Sequence, residues 1–585
     1  MKLIIRQYLA SLRERGELDA IVPDLLSELG LRVFSPQPRR GPSEKGVDVA
    51  AVGSLDGEKE KVYLFSIKGG DLTRSSWNSN PQSLRQSLDD ILDAYIPDRL
   101  QNEHKGKEIV ICLCFGGNIR VEVRDSVKGY IGQNQKRYGV TFEEWNGDKL
   151  ADLIQRHFLR EELMPEKIRS QLRKALALLD EPNASYRHFS ALIRSLSHIE
   201  GKSDKEKLTA IRQIHLCLWI LFAWARDAGN LESAYRSSEF ALLHGWEIAK
   251  DFRGKKTNPA ESIQFAFFSI LSVHQQIGFH YLNEKILPHV HKRHALSSAV
   301  RSGCSLDINL KLFDVLGRLA MGGIWLYWNR NLAQLSDEET EKKKKIEERG
   351  IEKEIQRYMA GTMELILNNP ALLLPIKDQQ AIDICLAALL LAMDANNAED
   401  IKSWLSHMAD RAGFSLKVRG AYPCNIDSYS DLLDHPKREE GYLENSTQGS
   451  ILYPIIALWA ALLDDEALYA KVQSIKKQHL QHCNFQYWYP DEASEEHFYT
   501  NSDSHGATLS HLPIDKSPGE LLEQVFGECQ KTPAFNELSA VKAGLWPLIL
   551  VACRHYRLPV PLHLLQGFAA AKDIEGPSQE TSSRK

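Results

Sequence analysis

Three residues near the N-terminus stand out by type and spacing. Asp48 closes the triplet Gly46-Val47-Asp48, and Ser66-Ile67-Lys68 ends a β-rich run that begins at Lys61. Side chains alternate along a strand, so Ser66 and Lys68 share one face. The loop between the two runs contains Asp56-Gly57, a strong hairpin signal. A turn centred there sets Asp48 opposite Phe65, and a one-residue change in the loop sets it opposite Ser66. In either register, cross-strand reach brings the Asp48 carboxylate near the Lys68 ammonium. A carboxylate and a lysine so placed suit phosphodiester hydrolysis. Helped by a backbone carbonyl, the carboxylate would hold Mg²⁺ (or Mn²⁺), which polarises a phosphate and lowers the pKa of bound water. The lysine would orient that water and offset charge building on the phosphorane. An Asp–Lys pair across a hairpin is commonly a surface salt bridge worth up to about 1 kcal/mol. Here Val62, Leu64, Ile67 and the apolar run Ile109–Phe115 predict burial of the strands instead.

The elements that must position these residues follow from periodicity. Residues 17–29 place Leu18, Ile21, Val22, Leu25, Leu26 and Leu29 on one helical stripe, with Gly30 placed to end it. Strands are expected at 31–35, 47–53 and 61–69, then a helix over 81–95 with Pro81 in its first turn. Residues 108–117 read as a strand buried on both faces. A helix near 120–137, a strand at 139–145 and a helix from 147 to about 160 complete the unit. The order α-β-β-β-α-β-α-β-α predicts a mixed sheet flanked by helices. Beyond it the pattern is long helices, including 207–228, 310–335 and 379–394. The domain division expected is 1–160, a helical 161–336, a charge-dense helix or linker 337–356, a second helical domain 357–570 and a disordered tail 571–585.

Residues from about 15 to 146 resemble the PD-(D/E)XK nuclease superfamily, most closely its Mrr-type restriction endonuclease branch. Gly46-Val47-Asp48 matches that branch's G-[IV]-D strand. Leu64-Phe65-Ser66-Ile67-Lys68-Gly69-Gly70 matches its apolar strand ending in an acid or Gln, any residue, Lys and often Gly. The branch starts its first helix with an acid about a dozen residues before a Leu-Gly end. Asp19 holds that place ahead of Leu29-Gly30, with Glu17 as a nearby substitute. The resemblance implies an α/β restriction-endonuclease-like domain and Mg²⁺-dependent cleavage of DNA. Asp48 and Asp19 would be metal ligands, Lys68 would position the water, and the chain would serve restriction or anti-phage defence. Ser66 departs from the pattern, leaving one charge fewer for the metal. Asp19, Glu17, Glu44 or Asp71 could supply it, Ser66 could act through a water, or the fold could persist as an inactive scaffold binding nucleic acid or protein. A ribonuclease is the other alternative, because this chemistry does not read the 2′-OH.

Arg39, Arg40 and Lys45 form a basic loop beside the proposed site, and Arg74 follows the lysine strand; each could meet phosphates, and each could equally be a solvated surface residue. Trp77 reads as a packing residue. The 585 residues carry a formal charge of −5, so no global basic excess draws a polyanion. Residues 1–160 hold 24 Lys and Arg against 23 Asp and Glu, which leaves the acidity in the helical remainder. Nine cysteines without a CxxC pair argue against a zinc knuckle and fit a reducing compartment. The run 217–225 is short of a bilayer span, so a cytoplasmic protein without membrane attachment is expected, its helical region engaging a protein partner or a second copy. His479, His482 and Cys483 fall at i, i+3 and i+4 of an expected helix, a spacing that could hold a metal but lacks a completing ligand. Asp503, His505 and His511 read as polar loop residues.

Overall fold

The computed structural model describes residues 2–12, 14, 18–35, 45–55, 57–79, 83–157, 166–300, 302–334, 341–418, 422–435 and 441–568. Packing divides the chain into two units, Met1–Ile277 and Gly278–Lys585. The first opens with helices α1 (Lys2–Ser11) and α2 (Asp19–Glu28), followed by β1 (Arg32–Ser35), β2 (Val49–Gly53) and β3 (Lys61–Lys68). Then come α3 (Arg74–Asn78), α4 (Leu84–Asp90), β4 (Glu108–Phe115), α5 (Val121–Tyr138), β5 (Thr141–Trp145) and α6 (Gly147–His157). After α4 the helix continues over Ile91–Arg99 with a wider, π-type coil. The strands form one mixed sheet in the order β1-β2-β3-β4-β5. Its first three members are antiparallel and its last three parallel. The mixed sheet with flanking helices is as the alternation of patterns predicts.

Both faces of the central strands are covered. Val62, Leu64, Ile111 and Leu113 pack in one apolar cluster with Trp77, Leu88, Val123 and Val127 from α3, α4 and α5. Trp77 meets Tyr130 edge-on at 5.5 Å, so it is a packing residue. On strand positions of opposite parity, Phe65 lies edge-on to Trp145 at 4.9 Å. Helices α1 and α2 each pack on α6, and α2 also touches β1 and β2.

Two short elements escape a periodicity reading. Helix α1 and the residue after it bury Ile5, Leu9 and Leu12, an i, i+4, i+7 stripe too brief to declare itself. Helix α3 has only five residues and depends on its cap, in which the Thr73 hydroxyl and the Ser76 backbone and side chain bond reciprocally. Four longer helices, α7 (Glu166–Ala177), α8 (Pro182–Ser197), α9 (Asp204–Asp227) and α10 (Glu232–Ala249), continue the first unit, and α11 (Asn258–Tyr281) reaches its boundary. Among the described residues α9 is the one helix long and apolar enough to cross a bilayer, yet nearly all of it is buried in the protein.

The second unit is mainly helical. Helices Ser305–Gln334 and Glu341–Asn368 pack together, and the charge-dense stretch is helical from residue 341 within a helix that runs on to Asn368. Two small ribbons interrupt the helices, Gly449–Ser450 beside Asn484–Phe485 and Tyr487–Tyr489 beside Ala507–Leu509. At two or three residues each, they carry no readable alternation.

Candidate functional site

The parallel strands β3, β4 and β5 end side by side, the place where open α/β sheets form ligand crevices. Gly117 N–H donates to Gly70 O at 2.9 Å, and Gly147 N–H donates to Gly117 O at 2.9 Å, tying the three following loops into one rim. Asp71 stiffens it by accepting Asn118 N–H at 2.8 Å and meeting Arg120 at 2.8 Å. Its carboxylate is engaged with this rim rather than standing as a spare acid. Helix α1 closes over the same end: a Cβ on Gly116 would lie 2.0 Å from Leu9 O, so only glycine fits.

Asp48 immediately precedes β2. The ladder pairs Val49 with Phe65, so continuing it one residue sets Asp48 across from Ser66, the second of the two expected registers. Asp48 N–H donates to Phe65 O at 2.9 Å, while Asp48 Oδ2 accepts Ile67 N–H at 2.7 Å. The carboxylate thus takes the place of a ladder carbonyl and is fixed to the backbone between Ser66 and Lys68. The glycine two residues earlier has its own cause. Gly46 has φ +80°, and a Cβ there would stand 1.9 Å from Ser87 O on α4. Burial, and the Asp48 carboxylate nearby, push the Cys114 thiol well above its usual range, so this cysteine is inert.

Ser66 and Lys68 have different surroundings. Ser66 is in register with Leu113, a member of the apolar cluster under α3–α5. Its hydroxyl is fully buried and has no hydrogen-bond partner among the described residues. An ionised acid there would be a desolvated charge, which burial disfavours. Lys68 ends the strand, and Nζ meets Glu14 Oε1 at 2.8 Å, with the two side chains 10% and 32% exposed. Glu14 lies between α1 and α2, in a stretch without periodicity, and no local signal in the sequence marks it. Asp19 is buried in the first turn of α2.

The basic candidates divide. Lys45 is part-exposed in the loop before Asp48, and Arg74 is exposed on α3. Arg39 and Arg40 lie outside the described residues, as do Glu17, Glu44, Asp56 and Pro81. In the second unit the expected helical spacing of His479, His482 and Cys483 fails. The helix ends at Gln478, and the His482 ring bonds Thr447 Oγ1 at 2.8 Å. Among the described residues no group of three His, Cys, Asp or Glu side chains is arranged to hold a metal.

Compared with protein-family models, curated proteins and solved structures, the chain matches none.

Proposed function

We propose that the first unit is a metal-dependent nuclease of the PD-(D/E)XK type that cleaves DNA in the cytoplasm, in restriction or anti-phage defence. The observation supporting this reading is the Asp48 carboxylate fixed 2.7 Å from Ile67 N, one residue from an ion-paired lysine at the carboxyl end of the parallel strands of a mixed sheet. Asp48 and a second acid would hold Mg²⁺ or Mn²⁺, which supplies Lewis acidity toward the phosphate. Glu14, ion-paired with Lys68, would stand in for the acid missing at Ser66, with Asp19 in the next helix as the other candidate. Lys68, ion-paired with Glu14, would orient the attacking water and stabilise the phosphorane. Lys45 and Arg74 would meet the backbone of the bound strand. The second unit would engage a protein partner or another copy of the chain.

The direct test is plasmid cleavage with Mg²⁺ by the full chain, beside Asp48→Ala and Lys68→Ala. Cleavage surviving both substitutions would sink the assignment, and matched DNA and RNA substrates separate deoxyribonuclease from ribonuclease. The uncharged burial of Ser66 favours a second reading, a scaffold that keeps the fold and binds nucleic acid or protein without hydrolysis. Calorimetric titration with Mn²⁺ distinguishes the two, since a scaffold gives no metal-linked heat.

A further inference from the structure

We infer that Arg212, on helix α9 far along the chain, is a positioning residue for the segment that carries Glu14 and Asp19. Arg212 lies between two acids of α2. Its Nε is 3.4 Å from Asp24 Oδ1, and its Nη1 is 3.0 Å from Glu28 Oε1. Thr209 Oγ1 donates to the same Glu28 oxygen at 3.3 Å, and His215 Nδ1 stands 3.5 Å from Asp24 Oδ2. The Arg212, Asp24 and His215 side chains are 3–6% exposed and that of Glu28 13%, so solvent screens this group little.

The geometry gives the clamp a direction. Asp24 and Glu28 are one helical turn apart and face α9 together. Asp19 lies five and nine residues before them, which at about 100° per residue is about 140° and 180° round the helix. Helix α2 is therefore held from behind, and its opposite side bears the buried Asp19. Helix α9 also packs against α1, so it touches both helices that flank Glu14. The apolar surface of α2 tolerates small slides along the sheet, whereas one guanidinium shared by two carboxylates fixes both rotation and height. Through this contact the helical part of the first unit sets where Glu14 meets Lys68, so the residues beyond 160 belong to the site's framework.

The test labels lysines in the intact full-length chain with N-hydroxysuccinimide acetate and follows each site by mass spectrometry. Lys68 reports the Glu14 contact, and Lys61, at the other end of the same strand and paired with Glu58 and Glu108, reports general unfolding. Arg212→Met is expected to raise the Lys68 acetylation rate by about tenfold while Lys61 stays unchanged, with Arg212→Lys between it and the native chain. The triple variant Asp24→Asn, Glu28→Gln, Arg212→Met removes the clamp without stranding a charge and is expected to show the same Lys68 increase. Lys61 rising in step with Lys68, or an unmoved Lys68 in the folded triple variant, overturns the proposal. Only the kinetic consequence rests on the nuclease reading: Arg212→Met is expected to lower kcat for plasmid with KM unchanged. A native chain that fails to cut DNA refutes that reading, whereas the acetylation rates still decide the clamp.

Discussion

The carboxyl end of the sheet and the ionic network of the second unit both bring acids and bases together, and they do it for different ends. In the second unit Asp314 accepts Arg318 Nε at 3.2 Å and Arg554 Nη1 at 2.8 Å, both guanidinium side chains only 4% exposed. Burial alone would raise the Asp314 pKa, but Arg318 and Arg554 hold it well below the usual carboxylate range. Nearby, Arg557 Nη2 meets Asp383 at 2.7 Å and also donates to Gln379 O. Each carboxylate there is matched by a guanidinium. At the sheet Glu14 is a third exposed, and three glycine-bearing loops border the group. Saturated charge serves to fix packing, whereas charge held at an edge by backbone hydrogen bonds can change partner when a ligand arrives.

Breaking the network should give the largest effect. Asp314→Asn leaves two buried guanidiniums poorly matched and should cost about 3–5 kcal/mol by denaturant unfolding, with plasmid cleavage unchanged under conditions where the chain stays folded. Lys68→Ala should do the reverse, lowering cleavage by about 10²–10³-fold with little change in the unfolding midpoint. If Lys68→Ala instead unfolds the first unit, the edge group is structural and the comparison collapses.

A third test concerns pH. Burial lifts the Asp378 carboxyl from 3.8 to about 6, although Ser450 and the Ile451 and Leu452 backbone N–H groups donate to it. Its folded-state pKa lies above its unfolded value, so its contribution is fully present below about pH 4 and is lost as pH rises through about 6. That amounts to at most about 3 kcal/mol in the second unit. Thermal unfolding followed from pH 4 to 7 should show the loss, and Asp378→Asn should flatten it. The smallest effect is expected at the surface. Arg6→Ala breaks an ion pair to Asp148 whose side chains are 38% and 46% exposed, and should cost no more than about 1 kcal/mol by the same unfolding assay.

What was readable in the sequence was local. The Asp56-Gly57 hairpin signal left two registers open, and the ladder pairing Val49 with Phe65 selects one of them. Gly46, Asp48 and Lys68 carried spacing that a reader can find, and the burial of β3 and β4 followed from their composition. Glu14 and Arg212 carried none. Glu14 meets Lys68 across 54 positions, and Arg212 meets Glu28 across 184, contacts that only the packed helices create. The apolar run of α9 reads as a core helix and hides an arginine and a histidine on the side that faces α2. Ser66 departs from the sequence pattern for a tertiary reason, because its neighbour Leu113 belongs to an apolar layer.

The central claim is that Asp48 and an acid from the α1–α2 segment hold one divalent ion beside Lys68. Crystals soaked in Mn²⁺ and measured for anomalous scattering test it most directly. The account predicts one peak bonded to Asp48 and to Glu14 or Asp19 and absent from Asp48→Asn. A peak elsewhere, or none at saturating Mn²⁺, would contradict it.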